Sequence, residues 1–495
     1  MLGARRKSKK PRAEPSVMGM ELFNTETRSK EEFEPADEQV RFYSCGQTIY
    51  DDLHVGNARA YVFWDTLTRY MRNVKGWNVR HVQNITDVGH LTDDGDQGED
   101  KVEKRAEELG VEPMELVEQQ IDRYFDDTEA LSIRRQDIVP RATGHINEME
   151  NYVQDIIDNG YAYEREGNIY FDLDAFLQDH EYGEMAGRDV EELKEEAESR
   201  VEPDGRKKNQ YDFALWLNAD ESHLMKWEVS FEVEGETVEV EGYPGWHLEC
   251  SVMSNEYLGD SFDIHAGGKD HIFPHHPNEQ AQCIAANGES QADLWLHNEF
   301  LTTADGTKMS KSKGNFVYVQ DLIEDEFSGD AIRLYLISSH YRSEMSFSRE
   351  QLKKTQKELR RIRKNVQRIR LADGGEQIFD LRSRFEEAMD DDLNTAEAKQ
   401  TLMEAIRKVN RVIEDGRSPA GSVADEIVKL FSVLGVDAEP DPRSDREMAE
   451  LLLELRSEYR NKERYEEADR IRDVLESSGY EIEDADSNTR LLSVA

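Results

Sequence analysis

The chain has 495 residues, with 62 Lys and Arg against 106 Asp and Glu, for a formal net charge of −44. Hydrophobic residues still make up 37%, which excludes a disordered chain and predicts roughly two to four packed domains. Three widely separated cysteines exclude a disulfide framework, and with no membrane-length apolar run or signal-like start the expectation is a cytoplasmic protein without membrane contact.

Residues 1–18 carry Arg5, Arg6, Lys7, Lys9, Lys10 and Arg12 and read as a disordered basic tail. Val40 to Cys45 reads as a strand ending in Gly46. Ala60, Trp64, Leu67 and Met71 then recur at helical spacing, and Trp77 to Asn84 reads as a second strand. His54, Gly56 and Asn57 fall where that helix begins. Free backbone N–H groups and the positive end of the helix dipole suit a phosphate there, with Gly56 allowing close approach. Residues 99–160 read as charged helices, Ile169 to Leu173 as a strand, and 189–210 as a polar loop with a short helix. Phe231 to Val240 alternates about Gly235 and predicts an exposed hairpin.

The most informative stretch is Gly242 to Cys250, read with Phe273 to Glu279. Cys250 is followed by His275 and Glu279, which share a face if the segment is helical. Thiolate, imidazole and carboxylate all bind zinc, which takes four ligands in a closed site, and Cys45 is available as a fourth. The spacing alone leaves alternatives open. Cys283 lies four residues beyond Glu279 on the same face, and Cys250 and His275 could be ordinary core residues. Phe262 to His265 reads as a strand followed by Gly267, Gly268 and Asp270, a pattern suited to a nucleotide at the end of a parallel sheet. Pro277 fits only the first turn of a helix.

Lys308 and Lys311 flank Met309 and Ser310 on a small-residue loop and can reach a triphosphate as mobile charges. Between 349 and 372 ten basic residues face two acidic ones, a net charge of +8 in a chain whose acid is otherwise spread throughout, as suits a salt-rich cytoplasm. Leu352, Leu359, Ile362, Val366 and Ile369 give this segment an apolar helical stripe. It is the candidate nucleic-acid contact; the alternative is a helix neutralised by acidic neighbours. Residues 380–435 read as a helical bundle, Pro440 to Pro442 as a linker, Met448 to Leu475 as two helices breaking near Asn461, and Tyr480 to Ile482 as a strand.

Together these residues resemble the cysteinyl-tRNA synthetase family of class I aminoacyl-tRNA synthetases, over roughly Met20 to Asp484. His54-Val55-Gly56-Asn57 is similar to the class I His-Ile-Gly-His signature, and Lys308-Met309-Ser310-Lys311-Ser312 is an intact Lys-Met-Ser-Lys-Ser signature. Tyr43 to Gly46, Asn84 to Asp87, Pro244 to Cys250, His275-His276 and Met389 to Thr395 resemble features of the cysteine family. This sequence departs from the family at Asn57, which replaces the last signature His, and at Pro277, where a Glu is usual. The hairpin near 231–241 looks like an insertion, and the family's tail fades after Asp484.

The resemblance implies an α/β fold: a Rossmann-type parallel-sheet catalytic domain in two halves (19–125 and 242–302) around a connective insertion (126–241). A signature-loop and stem-contact region (303–380), an α-helical anticodon-binding bundle (381–438) and a small C-terminal domain (439–495) follow. It assigns one zinc to Cys45, Cys250, His275 and Glu279, excluding Cys283. It implies ATP contacts at Thr48, His54, Asn57, Gly267, Asp270 and Lys311, with His54, Asn57, Lys308 and Lys311 catalytic and magnesium accompanying ATP. Gly46, Thr86 and Trp246 would contact L-cysteine. Lys357, Arg360, Arg361 and Lys364 would contact tRNA(Cys), in a protein acting as a monomer. Competing readings are a cysteine ligase with a small amine acceptor, a plain nucleotidylyltransferase, and an RNA-binding protein with a vestigial site.

Overall fold

The computed structural model describes residues 19–91, 98–200, 205–221, 223–303, 306–307, 309, 315–371, 380–417, 422–439, 445–478, 480–485 and 488–493. A hairpin of β1 (Met20–Asn24) and β2 (Ser29–Phe33) leads into β3 (Gln39–Thr48), α1 (Val55–Tyr70) and β4 (Asn78–Thr86). β3 and β4 are parallel, as the strand–helix–strand pattern requires. β3 does not stop at Gly46. A register shift between Ser44 and Gln47 lets pairing with β4 resume, and the strand runs on to Thr48. Gly46 sits in that irregularity, where a Cβ would lie 1.6 Å from the Asn84 carbonyl oxygen. Only glycine fits so close to the neighbouring backbone.

α2 (Lys101–Leu109), α3 (Pro113–Ala130) and α4 (Ile146–Asp158) occupy the stretch expected to be helical. Residues 131–145 are the exception. There the chain runs beside β4, with Gln83 N donating to Ile138 O (3.1 Å) and Ile85 N to Pro140 O (2.8 Å). Sheet-edge hydrogen bonds and Pro140 override the charged, helix-like composition.

β5 (Ala162–Arg165), β6 (Asn168–Phe171), α5 (Leu173–Phe176), α6 (Val190–Arg200), β7 (Phe213–Asn218), β8 (Trp227–Val233) and β9 (Glu236–Pro244) follow. β6 ends before the expected Leu173 because the Asp172 side chain caps α5. The five strands form an antiparallel sheet in the order β5-β6-β7-β9-β8. The hairpin about Gly235 is β8 and β9, but it is not an exposed appendage. β9 pairs with β7, and Val229, Phe231 and Val240 are buried. The alternating Glu residues mark only its solvent face.

α7 (Trp246–Leu258), β10 (Phe262–Gly268), α8 (His275–Asn287) and β11 (Ala292–Asn298) complete a four-stranded parallel sheet in the order β11-β10-β3-β4. β3 and β10 are neighbours although far apart in the chain. Their adjacency makes a switch point, and the crevice outside the carboxyl ends of such strands is where parallel sheets bind ligands.

β12 (Leu301–Thr302), α9 (Val319–Glu324), α10 (Gly329–Leu336), β13 (Met345–Ser346) and α11 (Arg349–Leu371) lead to α12 (Leu381–Asp390), α13 (Thr395–Glu414) and α14 (Ser422–Val433). The stripe Leu352, Leu359, Ile362, Val366 and Ile369 of α11 is buried throughout. Arg333 on α10 is fully buried and pairs with Asp65 of α1, which also takes Arg69 Nε at 2.7 Å. Asp392 accepts from Phe23 N (2.9 Å), Tyr341 Oη (2.6 Å) and Arg342 Nε (2.7 Å), so the Met389 to Thr395 motif ties the helical region to the opening hairpin. One continuous core consequently runs from Met20 to Ala438. α15 (Asp445–Asn461) and α16 (Tyr465–Ser477) build a second, small core, beside which β14 (Tyr480–Ala485) pairs with β15 (Asn488–Ser493). β15 lies in the stretch where the sequence pattern fades. No described helix is long and apolar enough to cross a membrane.

Candidate active site and metal centre

A cavity of ≈ 370 Å³ opens at the ends of β3 and β10. Cys45, Cys250 and His275 line it together with His54, Asn57, Gly267 and Asp270, and so do Gly46, Thr48, Thr86 and Trp246. Each of these was singled out from the sequence, and all meet at one cleft. Glu279 lies behind the cavity wall, fully buried. Lys308 and Lys311 lie outside the described residues, although Met309 between them lines the cavity.

The donor atoms of Cys45, Cys250, His275 and Glu279 all lie within 4.8 Å of one another. Cys45 comes from β3, Cys250 from α7, and the other two from adjacent turns of α8. The two sulfurs are 4.0 Å apart, Cys45 Sγ is 3.8 Å from Glu279 Oε1, and His275 Nε2 is 2.9 Å from the same oxygen. Two thiolates on one tetrahedral zinc stand about 3.8 Å apart, so the spacing is compatible with a metal site. A second grouping, Cys45, His265, His276 and Glu279, is equally compact. Its two histidines do not line the cavity, whereas three of the first set do. Cys283 belongs to neither grouping. It lies against Tyr152 of α4, and burial pushes its thiol up to about 12.

The electrostatics of the first set favour ionised Cys250 and Glu279 but oppose ionisation of Cys45. Cys250 is lowered to about 6, chiefly by its hydrogen bond with Cys45 and against burial, with His275 assisting. Burial raises Cys45, with Cys250 adding to it. Despite burial, His265 and His275 hold Glu279 well below the usual carboxylate range. His275 rises to about 10 against burial because Glu279 and Cys250 face it. Glu279 Oε2 accepts from His265 Nε2 at 2.8 Å and Gln291 Nε2 at 3.2 Å, which turns Oε1 toward the cluster. A lone histidine in a strand carries no pattern, so sequence reasoning missed His265; only its place two residues before Gly267 hinted at it.

Glu249 was also missed. It precedes Cys250 on α7, is fully buried, and neither carboxyl oxygen has a hydrogen-bond partner among the described residues. Burial raises it well above the carboxylate range and Cys250 adds to this, while the Thr86 hydroxyl pulls the other way.

The start of α1 differs from the expectation of free N–H groups. Val55 N donates to Val317 O (2.9 Å) and Gly56 N to His54 Nδ1 (3.1 Å). An accepting Nδ1 leaves Nε2 to carry the ring proton, so the donor offered is the imidazole itself. Its ring stacks on Phe316 at 4.4 Å. A Cβ at Gly56 would lie 2.8 Å from that ring, so Gly56 makes room for His54, and it also lines the cavity. β10 continues through Gly267 and Gly268, and a Cβ at Gly267 would lie 2.6 Å from His271 Nδ1.

On α11, Arg360 pairs with Glu454 at 2.6 Å, and Lys364 with Glu454 and Glu458, both acids on α15. Lys357 and Arg361 are exposed and form no ion pair among the described residues. A second cavity of ≈ 440 Å³ runs along this face, lined by Lys353, Lys357, Arg360, Arg363 and Ser328.

Residues 32–357 match the family described as tRNA synthetases class I (C) catalytic domain, and 384–439 match the DALR domain. The chain is 37% identical to the cysteine–tRNA ligase of Chlorobaculum tepidum, covering 94% of this chain and 98% of that one. It is 40% identical to that of Pyrococcus horikoshii, covering 95% and 98%. Among solved structures, Mycobacterium tuberculosis methionyl-tRNA synthetase with methionyl-adenylate aligns with TM-score 0.55 at 16% identity, over 89% of this chain and 94% of that one. A leucyl enzyme of Agrobacterium radiobacter K84 (LeuRS) with tRNA and LeuAMS aligns with TM-score 0.57 at 13% identity, over 82% and 84%. At such identities these structures share the fold alone.

Proposed function

The chain belongs to the cysteine–tRNA ligase family, and from that premise we propose how its residues activate cysteine with ATP and pass it to tRNA. The observation that carries the reading is the buried Cys45, Cys250, His275 and Glu279 cluster opening onto the cleft. Soft sulfur and imidazole donors fit zinc better than magnesium or calcium. Bound there, zinc would supply a soft Lewis acid for the substrate thiolate. Apolar pockets separate such near-isosteres as cysteine and serine by only ~10²-fold, and direct sulfur recognition can exceed that.

The cysteine carboxylate is already ionised, so attack on the α-phosphate needs no general base. Positioning and charge stabilisation carry the step. His54, through Nε2–H, and Asn57, through its amide, would donate to phosphate oxygens. Lys308 and Lys311 would steady the departing pyrophosphate, with magnesium accompanying ATP. Thr48, Gly267 and Asp270 would contact the nucleotide, and Gly46, Thr86 and Trp246 the amino acid. The exposed Lys357 and Arg361 beside the basic groove favour tRNA contact on α11. Arg360 and Lys364 share that role only if they leave Glu454 and Glu458. The proposed division keeps catalytic halves 19–125 and 242–302 around the insertion 126–241, then 303–380, the bundle 381–438 and the C-terminal unit 439–495, in a cytoplasmic monomer.

The test combines metal content, cysteine-dependent ATP–pyrophosphate exchange and tRNA charging. Cys250→Ala should lose metal and cysteine activation together. Normal activation by the metal-free variant would reject the role given to the cluster.

A further inference from the structure

His54 offers the cleft a donor through Nε2, and a donor stabilises developing charge only when it is held in the right direction. The torsion that turns an imidazole about its Cβ–Cγ bond is broad and restrains itself weakly. The hydrogen bond from Gly56 N to His54 Nδ1 (3.1 Å) holds one edge of the ring. It does not by itself fix the plane. The second restraint is Phe316, whose ring lies flat against the imidazole, with centroids 4.4 Å apart and planes 9° from parallel. Both residues line the cavity.

Phe316 is itself held in place. Residues 315–319 follow the Lys308 to Ser312 signature and cross the start of α1 in the antiparallel sense, with a bridge between His54 and Tyr318. Val55 N donates to Val317 O (2.9 Å) and Val319 N to Leu53 O (2.9 Å), so a backbone hydrogen bond lies on each side of His54. Tyr318 meets the Phe316 ring edge-on at 5.9 Å, and its hydroxyl donates to Asp51 Oδ2 at 3.2 Å. Phe316 is only partly buried, so trimming its ring opens no enclosed void.

We propose that Phe316 is a positioning residue for the activation step: its ring fixes the plane of His54 so that Nε2–H meets the phosphate oxygens. This rests on the cysteine-activating reading above, in which His54 donates to phosphate. It goes beyond that reading by giving a role in the reaction to a side chain that has no polar atom to offer a ligand.

The test measures cysteine-dependent ATP–pyrophosphate exchange on the full-length, metal-loaded protein. Stacked aromatic pairs contribute an amount equivalent to about 2- to 12-fold in a rate or equilibrium. Phe316→Leu keeps apolar volume without a flat face. It should lower kcat about three- to tenfold and leave the KM values for ATP and cysteine within about twofold, the pattern of an interaction realised only in the transition state. Phe316→Tyr keeps the ring and should hold kcat within about twofold of the wild type. In a His54→Ala background Phe316→Leu should cause no further loss, because the ring acts through the imidazole alone. A Leu variant as fast as the wild type, a Tyr variant as slow as the Leu variant, or a full loss persisting without His54 overturns the inference. A change in KM with kcat unaltered overturns it as well. A wild type that does not activate cysteine, or a His54→Ala variant of undiminished rate, takes down the functional reading itself. An impaired His54→Ala variant beside an indifferent Phe316→Leu variant takes down this inference alone.

Discussion

Replacing His265 by Phe isolates what holds Glu279 in place. The aromatic ring keeps the volume and the stack on Trp295, now 4.7 Å between centroids, so little cavity is created. What disappears is the 2.8 Å donor to Glu279 Oε2, leaving Gln291 at 3.2 Å as the remaining anchor. A hydrogen bond to a charged group contributes about 1.5–3 kcal/mol, equivalent to about 10- to 150-fold in an equilibrium constant. Loss of a partner behind a metal ligand weakens metal binding by about 10- to 100-fold, in the same range. Zinc affinity measured by chelator competition, with a cobalt-loaded sample to report sulfur ligation, should fall by that amount without being abolished. An unchanged affinity would refute the idea that His265 orients Glu279. Complete loss, repeated in His276→Phe, would move the metal to the deeper Cys45, His265, His276 and Glu279 grouping.

Gly46→Ala places a Cβ 1.6 Å from the Asn84 oxygen, so β3 and β4 must part locally. A loss of about 3 kcal/mol in urea unfolding is expected, and an unchanged midpoint would contradict the close approach. Charge reversal at Lys357 and Arg361 should weaken tRNA charging and flatten its salt dependence while sparing pyrophosphate exchange; reversal at Arg360 and Lys364 should instead loosen α15, read by proteolysis. An equal effect of the two pairs on charging would count against the distinction. His81 is held at about 3, chiefly by burial with Arg72 adding, against about 6.5 when unfolded. The unfolded chain therefore binds a proton that the fold refuses. Stability falls by about 1.4 kcal/mol per pH unit as pH drops from about 6.5 toward 3, with no such slope above 6.5. His81→Gln should flatten that acid limb by one proton, and identical limbs in urea unfolding against pH would refute the assignment.

Helices with a strong amphipathic stripe were legible in the sequence. α11 begins at the expected residue and ends within one of it, because its apolar positions repeat without interruption. The residues of the cleft were legible because each lies at a strand end or helix start whose neighbours are patterned. What the sequence could not show was pairing between distant segments. The hairpin about Gly235 could be recognised, but not its place beside β7. Spacing offered Cys283 as readily as Glu279, and only the packing of α8 against α4 turns Cys283 away. Single buried groups such as His265 and Glu249 repeat nothing, so they become visible only once their surroundings are known.

The donors of the candidate metal cluster come from β3, α7 and α8, and the two cysteines, 205 positions apart in the chain, bracket the whole five-stranded sheet. A chain being synthesised cannot assemble the site until that sheet has been made and α8 has emerged. Loop closure over such a distance is slow compared with forming a hairpin or a helix. The ion would therefore be captured late, and its retention reports that both halves of the parallel sheet have met. Metal starvation should accordingly leave a protein whose insertion is folded and whose cleft is open, one that quality control could recognise by the cleft rather than by the rest of the fold.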